Sequence, residues 1–264
     1  MTGSIRLFQL DAFTDQLFSG NPAAVCPLDT WLPDATLQAI AAENNLSETA
    51  FLVASPEQGA DFEIRWFTPM AEVDLCGHAT LASGHVLFNI LGFSKQTVRF
   101  SSRSDILTVA QGGDGLVMDF PGQPPTLAVF PDGIEHALGV RPLEYLTASM
   151  NVAVLPDEAA VRAVRPDLGY IGRLPGAGLI VTAEGEQCDF VSRFFAPKVG
   201  IDEDPVTGSA HCILAPFWAP RLGKRRLVAR QISARGGELT CEVTADRVKL
   251  AGKATLYLQG TIHV

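Results

Sequence analysis

Residues suited to proton transfer and anion binding stand beside glycine at two points of the sequence. In the first, Gly77 precedes His78; in the second, 131 residues later, Gly208 precedes Ser209. An acidic loop that ends in Asp204 comes just before the second point. Histidine can donate, accept or carry a proton near neutral pH, and a serine hydroxyl can donate or accept a hydrogen bond. These residue types predict either proton transfer or the binding of an anion.

Both points belong to one block of sequence that occurs twice. Each copy begins with an arginine, two aromatic residues, a spacer and a proline, at Arg65 to Pro69 and at Arg193 to Pro197. Each continues through an acidic loop to Gly-X-Ala and an apolar stretch, and the second loop is three residues longer. A repeat of such long period predicts two similar halves, each with a helix that begins at a glycine.

A helix start is a natural place to bind an anion. Its first backbone N–H groups lack partners within the helix and carry partial positive charge, and a glycine lets a ligand approach them closely. Two such starts facing one cleft would hold a carboxylate from both sides. In the alternative interpretation, Gly77 and Gly208 only permit tight turns, and His78 and Ser209 are helix caps. Because polar residues recur at the same point of both copies, the repeat favours binding.

Two further side chains lie beside these helix starts. Asp204 is held extended by Pro205 and is expected to reach the ligand, although acidic residues here could simply interact with the helix dipole. Cys76 precedes Gly77, where the helix N-terminus can lower the pKa of a thiol. Its counterpart in the repeat is Thr207, so a mechanism that needs two opposed thiols is excluded.

Glu48 is the candidate for acid–base chemistry. It lies in the segment NLSETAFL, between a predicted helix and a predicted strand. The segment could be an ordinary polar turn. However, a carboxyl group at the edge of a strand entering an apolar half is expected to have a raised pKa, and a general acid or base near neutral pH needs such a pKa.

Most of the chain is predicted to form short strands bounded by glycine, proline, aspartate or serine. The last four strand-like runs, between residues 226 and 260, predict an antiparallel meander. A helix is predicted from Pro33, because Leu37, Ile40 and Ala41 have helical spacing.

The helices after the two glycines are apolar on almost every side. One runs from Ala79 to Gly92 and the other from Ser209 to Gly223, where Pro216 and Pro220 are expected to kink or interrupt it. A helix that is apolar on every side must be buried on every side. The predicted fold is therefore α+β, with two pseudo-symmetric halves, each a strand-rich, barrel-like sheet wrapped around a central helix.

The proline-rich segment FPGQPPTLAVFPDG predicts the boundary between the halves. The expected domains are residues 1–122 and 123–264, with the last strand able to cross back to the first domain.

Composition narrows the classes of function. The chain has 264 residues, of which 47% are hydrophobic, enough for two cores. A net charge of −9 argues against binding to nucleic acid. The sequence contains neither a long apolar run nor a signal-like N-terminus, so a cytoplasmic protein without membrane contact is expected. The cysteines form no CxxC motif, and the histidines suggest no ligand set, so no metal site is predicted.

Four segments in order resemble the phenazine biosynthesis PhzF-like family. They are DAFTDQLFSGNPAAVCPL from Asp11, NLSETAFL from Asn45, DLCGHATLASGHVLF from Asp74 and EDPVTGSAHCIL from Glu203. The resemblance implies the diaminopimelate-epimerase fold, with the site between two halves. It also implies a homodimer and an isomerase without cofactor that acts on a small anionic substrate.

The resemblance also implies roles for individual residues. Glu48 matches the glutamate that moves a proton within an amino-hydroxy-cyclohexadiene carboxylate in the family's phenazine enzyme. The residues that match substrate-holding, proton-relay or anion-contact positions are Gly77, His78, Asp204, Gly208 and Ser209. The epimerase relatives use one cysteine from each half, whereas only Cys76 is present here, so two-base inversion at an amino-acid α-carbon is not expected. The family name leaves the substrate open.

Three functions follow as hypotheses. The first is an isomerase in which Glu48 transfers a proton on a bound carboxylate. The second is a non-catalytic small-molecule binding or regulatory protein of the same fold. The third is a thiol hydrolase that uses Cys76 and His78. Residues two apart at a strand-to-helix turn are not expected to point together, which argues against the third.

Overall fold

The computed structural model describes residues 3–264, which form two compact units. Unit 1 consists of residues 3–119 together with Ala251–Val264, and unit 2 of Phe120–Leu250. Strands predominate in both units and helices are few, which confirms the predicted α+β class. Within residues 3–264, none of the helices has the length and apolar character needed to cross a bilayer.

The elements up to the first passage between the units are β1 (Ser4–Ala12), β2 (Asn21–Leu28), α1 (Asp34–Asn44), β3 (Glu48–Ala54), β4 (Phe62–Phe67), β5 (Glu72–Val73), α2 (Gly77–His85), a π-helical turn (Val86–Ile90), β6 (Thr97–Ser101), β7 (Ile106–Gly112) and β8 (Gly115–Pro121). The elements that follow are β9 (Thr126–Leu127), α3 (Ile134–Leu138), β10 (Glu144–Thr147), β11 (Asn151–Val154), α4 (Glu158–Ala163), α5 (Leu168–Ile171), β12 (Leu179–Glu184), β13 (Phe190–Ala196), a 3₁₀ turn (Pro197–Val199), β14 (Ile201–Asp204), α6 (Gly208–Leu222), β15 (Arg226–Gln231), β16 (Gly237–Thr244), β17 (Arg247–Gly252) and β18 (Ala254–His263). The chain passes between the units within β8 and again within β17.

The same order of strand pairings is found in both units. In unit 1, β2 and β3 are parallel, β3 and β4 antiparallel, β4 and β6 parallel, and β6 and β7 antiparallel. In unit 2, the corresponding pairs are β11 with β12, β12 with β13, β13 with β15, and β15 with β16, in the same orientations. The repeat seen in the sequence is therefore a repeat of topology.

The predicted C-terminal meander is confirmed in its first part, since β15 and β16 are antiparallel. The last of its four predicted runs, β18, pairs antiparallel with β1, with Ile262 opposite Ile5. A meander pattern involves only neighbours in sequence and does not predict this pairing of the first and last strands, but the expectation that the last strand can cross back to the first domain allows it.

The central helix of unit 1 is buried on all sides, as its composition predicted. Every residue of α2 from His78 to Gly84 is buried, and strands β1, β2, β3 and β7 contact the helix. At Gly84 the helix approaches β7 so closely that an added Cβ would lie 2.6 Å from Val109. Glycine is therefore required at Gly84 by close packing rather than by backbone conformation.

Helix α6, the central helix of unit 2, continues through Pro216 and Pro220, so the predicted interruption is wrong. A proline has no N–H to donate to the carbonyl four residues earlier, which for Pro216 is the carbonyl of Cys212. The backbone N–H of Gln123 donates to that carbonyl at 2.9 Å. The proline-rich segment thus supplies the hydrogen bond that the helix lacks.

Each unit has its own hydrophobic core. In unit 1, helix α1 contributes Leu37, Ile40 and Ala41 to a cluster that includes Phe51, which confirms the predicted helix and its buried face. In unit 2, a second cluster includes Phe195 and neighbouring aliphatic side chains.

A bidentate Arg–Glu pair occurs in both copies of the repeated block. Arg65 Nε and Nη2 donate to the Glu72 carboxylate at 2.7 and 2.8 Å, and Arg193 Nε and Nη2 donate to Glu203 at 2.7 and 2.9 Å. Such paired contacts hold the carboxylate in one orientation. They explain the repeated arginine, because the pairs tie β4 to β5 and β13 to β14, the short strands that precede the two central helices.

His211, in the first turns of α6, is a fully buried neutral histidine. Its Nδ1–H donates to the Thr207 carbonyl at 2.8 Å, and burial lowers its pKa to about 4. At the equivalent position of α2, the Thr80 hydroxyl donates to the Cys76 carbonyl at 2.6 Å. Both helices thus secure their first turn with a side-chain bond to the backbone.

We expect His211 to make the protein less stable in acid. Between pH 6.5 and about 4 the unfolded chain takes up a proton that folded His211 does not, so stability falls as the pH falls through this window. The loss should reach about 3 kcal/mol. The free energy of unfolding of His211→Gln, measured with urea between pH 7 and 4.5, should fall less steeply with decreasing pH than that of wild type. The exposed His136→Gln variant is the control and should show the pH dependence of wild type. The same pH dependence in His211→Gln as in wild type would contradict the assignment.

Candidate active site

In unit 1, a carboxylate meets an imidazole where α2 begins. Glu48 is the first residue of β3 and His78 is the second residue of α2. Glu48 Oε2 lies 2.9 Å from His78 Nε2, and the two side chains are 12% and 8% exposed. Oε2 is buried, and a carboxylate oxygen can accept more than one hydrogen bond. The contact is thus an ion pair that leaves this oxygen able to accept a proton.

His78 is not a helix cap. The N-cap of α2 is Cys76, and its side chain makes no capping hydrogen bond. In α6 the N-cap is Thr207, again without a side-chain capping bond. The capping interpretation of His78 and Ser209 is therefore wrong, since both residues lie inside the first helical turn.

Cys76 and His78 do point together, contrary to expectation. Cys76 Sγ lies 3.5 Å from His78 Nδ1. The backbone is extended at Cys76, with φ −143° and ψ 107°, and becomes helical from Gly77. This change of direction brings two side chains that are two residues apart to the same side.

The pKa of Glu48 is lowered, not raised as the sequence predicted. Burial by itself would raise the pKa of Glu48, but the positive charge of His78 and the hydrogen bonds from His78 and Cys76 together outweigh burial and lower this pKa below its ordinary value. Burial would likewise lower the pKa of His78, but its interactions with Cys76 and Glu48 together outweigh burial and raise it well above its ordinary value. The prediction considered burial without this partner. Together, Glu48 and His78 form a carboxylate–imidazolium pair at neutral pH.

Cys76 is a thiol, not a thiolate, at neutral pH. Burial raises its pKa to about 11, with a further contribution from the nearby Glu48 charge. The predicted lowering by the helix N-terminus is therefore wrong, because burial outweighs it. A thiol hydrolase needs the thiolate, so this result argues against that interpretation although Cys76 and His78 are in contact.

Glu48, Cys76 and His78 also form a potential set of metal ligands. One donor atom from each lies within 4.8 Å of the other two. The sequence predicted no such set, because Glu48 is distant in sequence from the other two and folding brings it to them.

In unit 2, three of the predicted site residues lie around the start of α6. Asp204 ends β14 and is buried, and the Thr207 hydroxyl donates to its Oδ2. Gly208 is the first residue of α6, and Ser209, the second, is exposed. Thus Asp204, Gly208 and Ser209 lie together in unit 2, as Glu48, Gly77 and His78 do in unit 1.

Gln231 is a buried residue of this region that the sequence reasoning missed. Its Oε1 accepts from the Thr207 backbone N–H at 2.9 Å, and its Nε2 donates to the Asp204 carbonyl at 2.7 Å and to Thr207 Oγ1 at 3.1 Å. Gln231 follows Leu227 and Ala229 on the buried side of β15. A polar residue in a row of buried apolar positions was the available signal.

We expect Gln231→Leu to lose stability, because it leaves the buried Thr207 N–H and Asp204 carbonyl without these partners. The cost should be about 3 kcal/mol for the unmade bonds. Urea unfolding would measure it, with the exposed Gln259→Leu as matched control. A loss no larger than that of Gln259→Leu would show that Gln231 does not hold this region together.

The duplicated, strand-rich units with buried central helices define the class of the protein as diaminopimelate-epimerase-like. A hydroxyproline epimerase from Agrobacterium vitis shares the fold, with a TM-score of 0.65 over 99% of this chain and 93% of that one, at 10% sequence identity.

The family follows from closer matches. A family model described as phenazine biosynthesis-like protein matches residues 10–260. A Pseudomonas aeruginosa protein named an uncharacterized isomerase is 52% identical over 98% of this chain and 99% of its own length. The crystal structure of a PhzF-family protein from Enterococcus faecalis has a TM-score of 0.95 and 45% identity, covering 99% of this chain and 100% of that one. The chain therefore belongs to the phenazine biosynthesis-like PhzF family, which confirms the resemblance, and these relatives support an isomerase.

Proposed function

We propose that the protein is a cofactor-independent isomerase that transfers a proton on a small carboxylate substrate, with Glu48 as the proton carrier. The observation that carries the proposal is the ion pair of Glu48 and His78 at the start of a buried helix. The Glu48 oxygen in this pair is buried, and a carboxylate oxygen has a second lone pair besides the one that faces His78. That lone pair is available to accept a proton from a bound molecule.

In the proposed reaction Glu48 starts as the base. Its ionised carboxylate removes a proton from a substrate carbon next to an electron-withdrawing group, and the protonated Glu48 then returns it to another carbon. The two steps leave the enzyme unchanged, and the substrate's double bond moves. His78 stabilises the carboxylate before the first step. An anionic substrate beside His78 would share its positive charge and make Glu48 a stronger base, which favours transfer near neutral pH.

The backbone at Gly77 is proposed to bind the substrate's carboxylate. The helix start offers N–H groups and partial positive charge. An added Cβ at Gly77 would meet no atom within 4 Å, and Gly77 is not among the positive-φ glycines. Neither packing nor backbone conformation therefore requires glycine at this position. Close approach of a ligand to the backbone would explain why the residue is glycine.

The residues around the start of α6 are proposed to have substrate-binding or relay roles. This part rests on the sequence repeat, in which Gly208 and Ser209 are equivalent to Gly77 and His78. Ser209 is exposed and can donate to a carboxylate oxygen. Asp204 is proposed as a proton relay, with Thr207 orienting its carboxyl group.

We expect Glu48→Gln to abolish proton transfer while the fold and ligand binding persist, because the amide keeps the size but cannot carry the proton. The protein would be incubated in heavy water with small unsaturated and amino carboxylic acids, including diaminopimelate and dihydro-hydroxyanthranilate. Deuterium incorporation would be read by mass spectrometry and NMR. For a substrate that wild type labels, the rate should fall at least about 100-fold.

The matched control is Glu43→Gln, an exposed glutamate of the same unit, which should label the substrate at the wild-type rate. If Glu48→Gln labelled the substrate at the wild-type rate, Glu48 would not be the proton carrier. Acids that bind to wild type without ever being labelled or converted would support the non-catalytic binding protein instead.

We expect Gly77→Ala to weaken ligand binding without destabilising the fold. The added methyl group has room and replaces glycine in a helix, so the thermal midpoint should stay the same or rise slightly. Substrate binding should weaken at least about tenfold, because the methyl group lies where the carboxylate would approach the backbone. Calorimetric titration with a substrate would measure this, with the exposed turn variant Gly113→Ala as control. Unchanged affinity in Gly77→Ala would refute the contact.

A further inference from the structure

Three different donor types converge at the start of α2. A carboxylate oxygen of Glu48, the thiol sulfur of Cys76 and a ring nitrogen of His78 lie within 4.8 Å of one another. Proton transfer by Glu48 does not require the sulfur. One carboxylate, one thiolate and one imidazole are the donors that Zn²⁺ takes in open sites, where three protein ligands leave a fourth position for another molecule.

The separations between the donors suit a single ion. Cys76 Sγ lies 3.9 Å from His78 Nε2, and Glu48 Oε2 lies 2.9 Å from the same nitrogen. Ligands about 2.0 to 2.3 Å from a tetrahedral zinc stand roughly 3.3 to 3.6 Å apart. Shifts of about half an ångström would therefore bring the Cys76 and Glu48 donors to tetrahedral separations from His78 Nε2, and the sulfur and a Glu48 oxygen already lie within 4.8 Å of each other.

Charge and surroundings also favour a divalent cation. Glu48 and Cys76 can supply one negative charge each, so Zn²⁺ with both would be neutral inside a buried site. Cys76 stands at the start of α2, where the partial positive charge of the helix N-terminus favours a thiolate. Glu48 is 12% exposed, which offers a small ion a path to the donors.

We propose that Glu48, Cys76 and His78 form an inhibitory binding site for a thiophilic divalent cation such as Zn²⁺. The ion takes the place of the proton between His78 Nε2 and Glu48 Oε2 and binds the Cys76 sulfur as thiolate, and this proton and the thiol proton are released to solvent. Binding itself does not depend on the proposed function. Inhibition does, because the ion occupies the two atoms that proton transfer needs.

Metal-free protein would be titrated with Zn²⁺ by calorimetry and with Co²⁺ by absorption spectroscopy. Wild type should bind one ion per chain, and Co²⁺ should give a thiolate-to-metal charge-transfer band. Cys76→Ser should lose that band and bind Zn²⁺ at least about 100-fold more weakly, since a direct ligand matters more than an outer-shell partner. Cys188→Ser, which changes the partly exposed cysteine of unit 2, should behave as wild type.

Two further measurements keep the test decisive if Cys76→Ser folds poorly, which circular dichroism would show. Glu48→Gln should weaken Zn²⁺ binding but keep the charge-transfer band. In wild type, Zn²⁺ should protect Cys76 from alkylation, as located by peptide mass spectrometry. A band that survives in Cys76→Ser or disappears in Cys188→Ser, or a wild type without stoichiometric binding, would overturn the proposal. Loss of zinc binding would leave the proton-transfer assignment untouched, because that is read by deuterium labelling without metal.

Discussion

A helix that is apolar on every side can exist in water only when other elements cover every side of it. Helices α2 and α6 impose this constraint, and the strands of their units satisfy it. A helix enclosed in this way can present polar chemistry only at its ends, where backbone groups lack helical partners. This is why both copies of the repeat place their polar residues at the first turn, and why the Arg–Glu pairs fix the loops that enter it.

The protonation states of Glu48 and His78 in the candidate site depend on each other. Glu48 or His78 alone, at such low exposure, would favour its neutral form. Each is charged because the other lies 2.9 Å away. Titration of one group therefore changes the other, and apparent pKa values belong to the pair. Cys76, with its pKa raised to about 11, stays neutral beside them and lets the two charges balance.

Patterns local in sequence predicted much of the fold. Apolar spacing identified α1 and its buried residues, and the repeat with its apolar helices predicted the strand-rich units. The features that the sequence did not predict depend on residues that only folding brings together. The lowered pKa of Glu48 needs His78, thirty residues on; the continuity of α6 through Pro216 needs the Gln123 amide. The local backbone turn at Gly77, which joins Cys76 to His78, depends on dihedral angles that residue types alone do not fix.

The discontinuity of unit 1 has a consequence for synthesis on the ribosome. Unit 2 is one uninterrupted stretch, Phe120–Leu250, whereas unit 1 includes the last residues of the chain, whose strand β18 pairs with β1. All of unit 2 is therefore translated before unit 1 is complete. Until β18 emerges, one edge of β1 lacks that partner and is open to pairing with other chains. The half that holds Glu48, although translated first, is the last to acquire all of its strands.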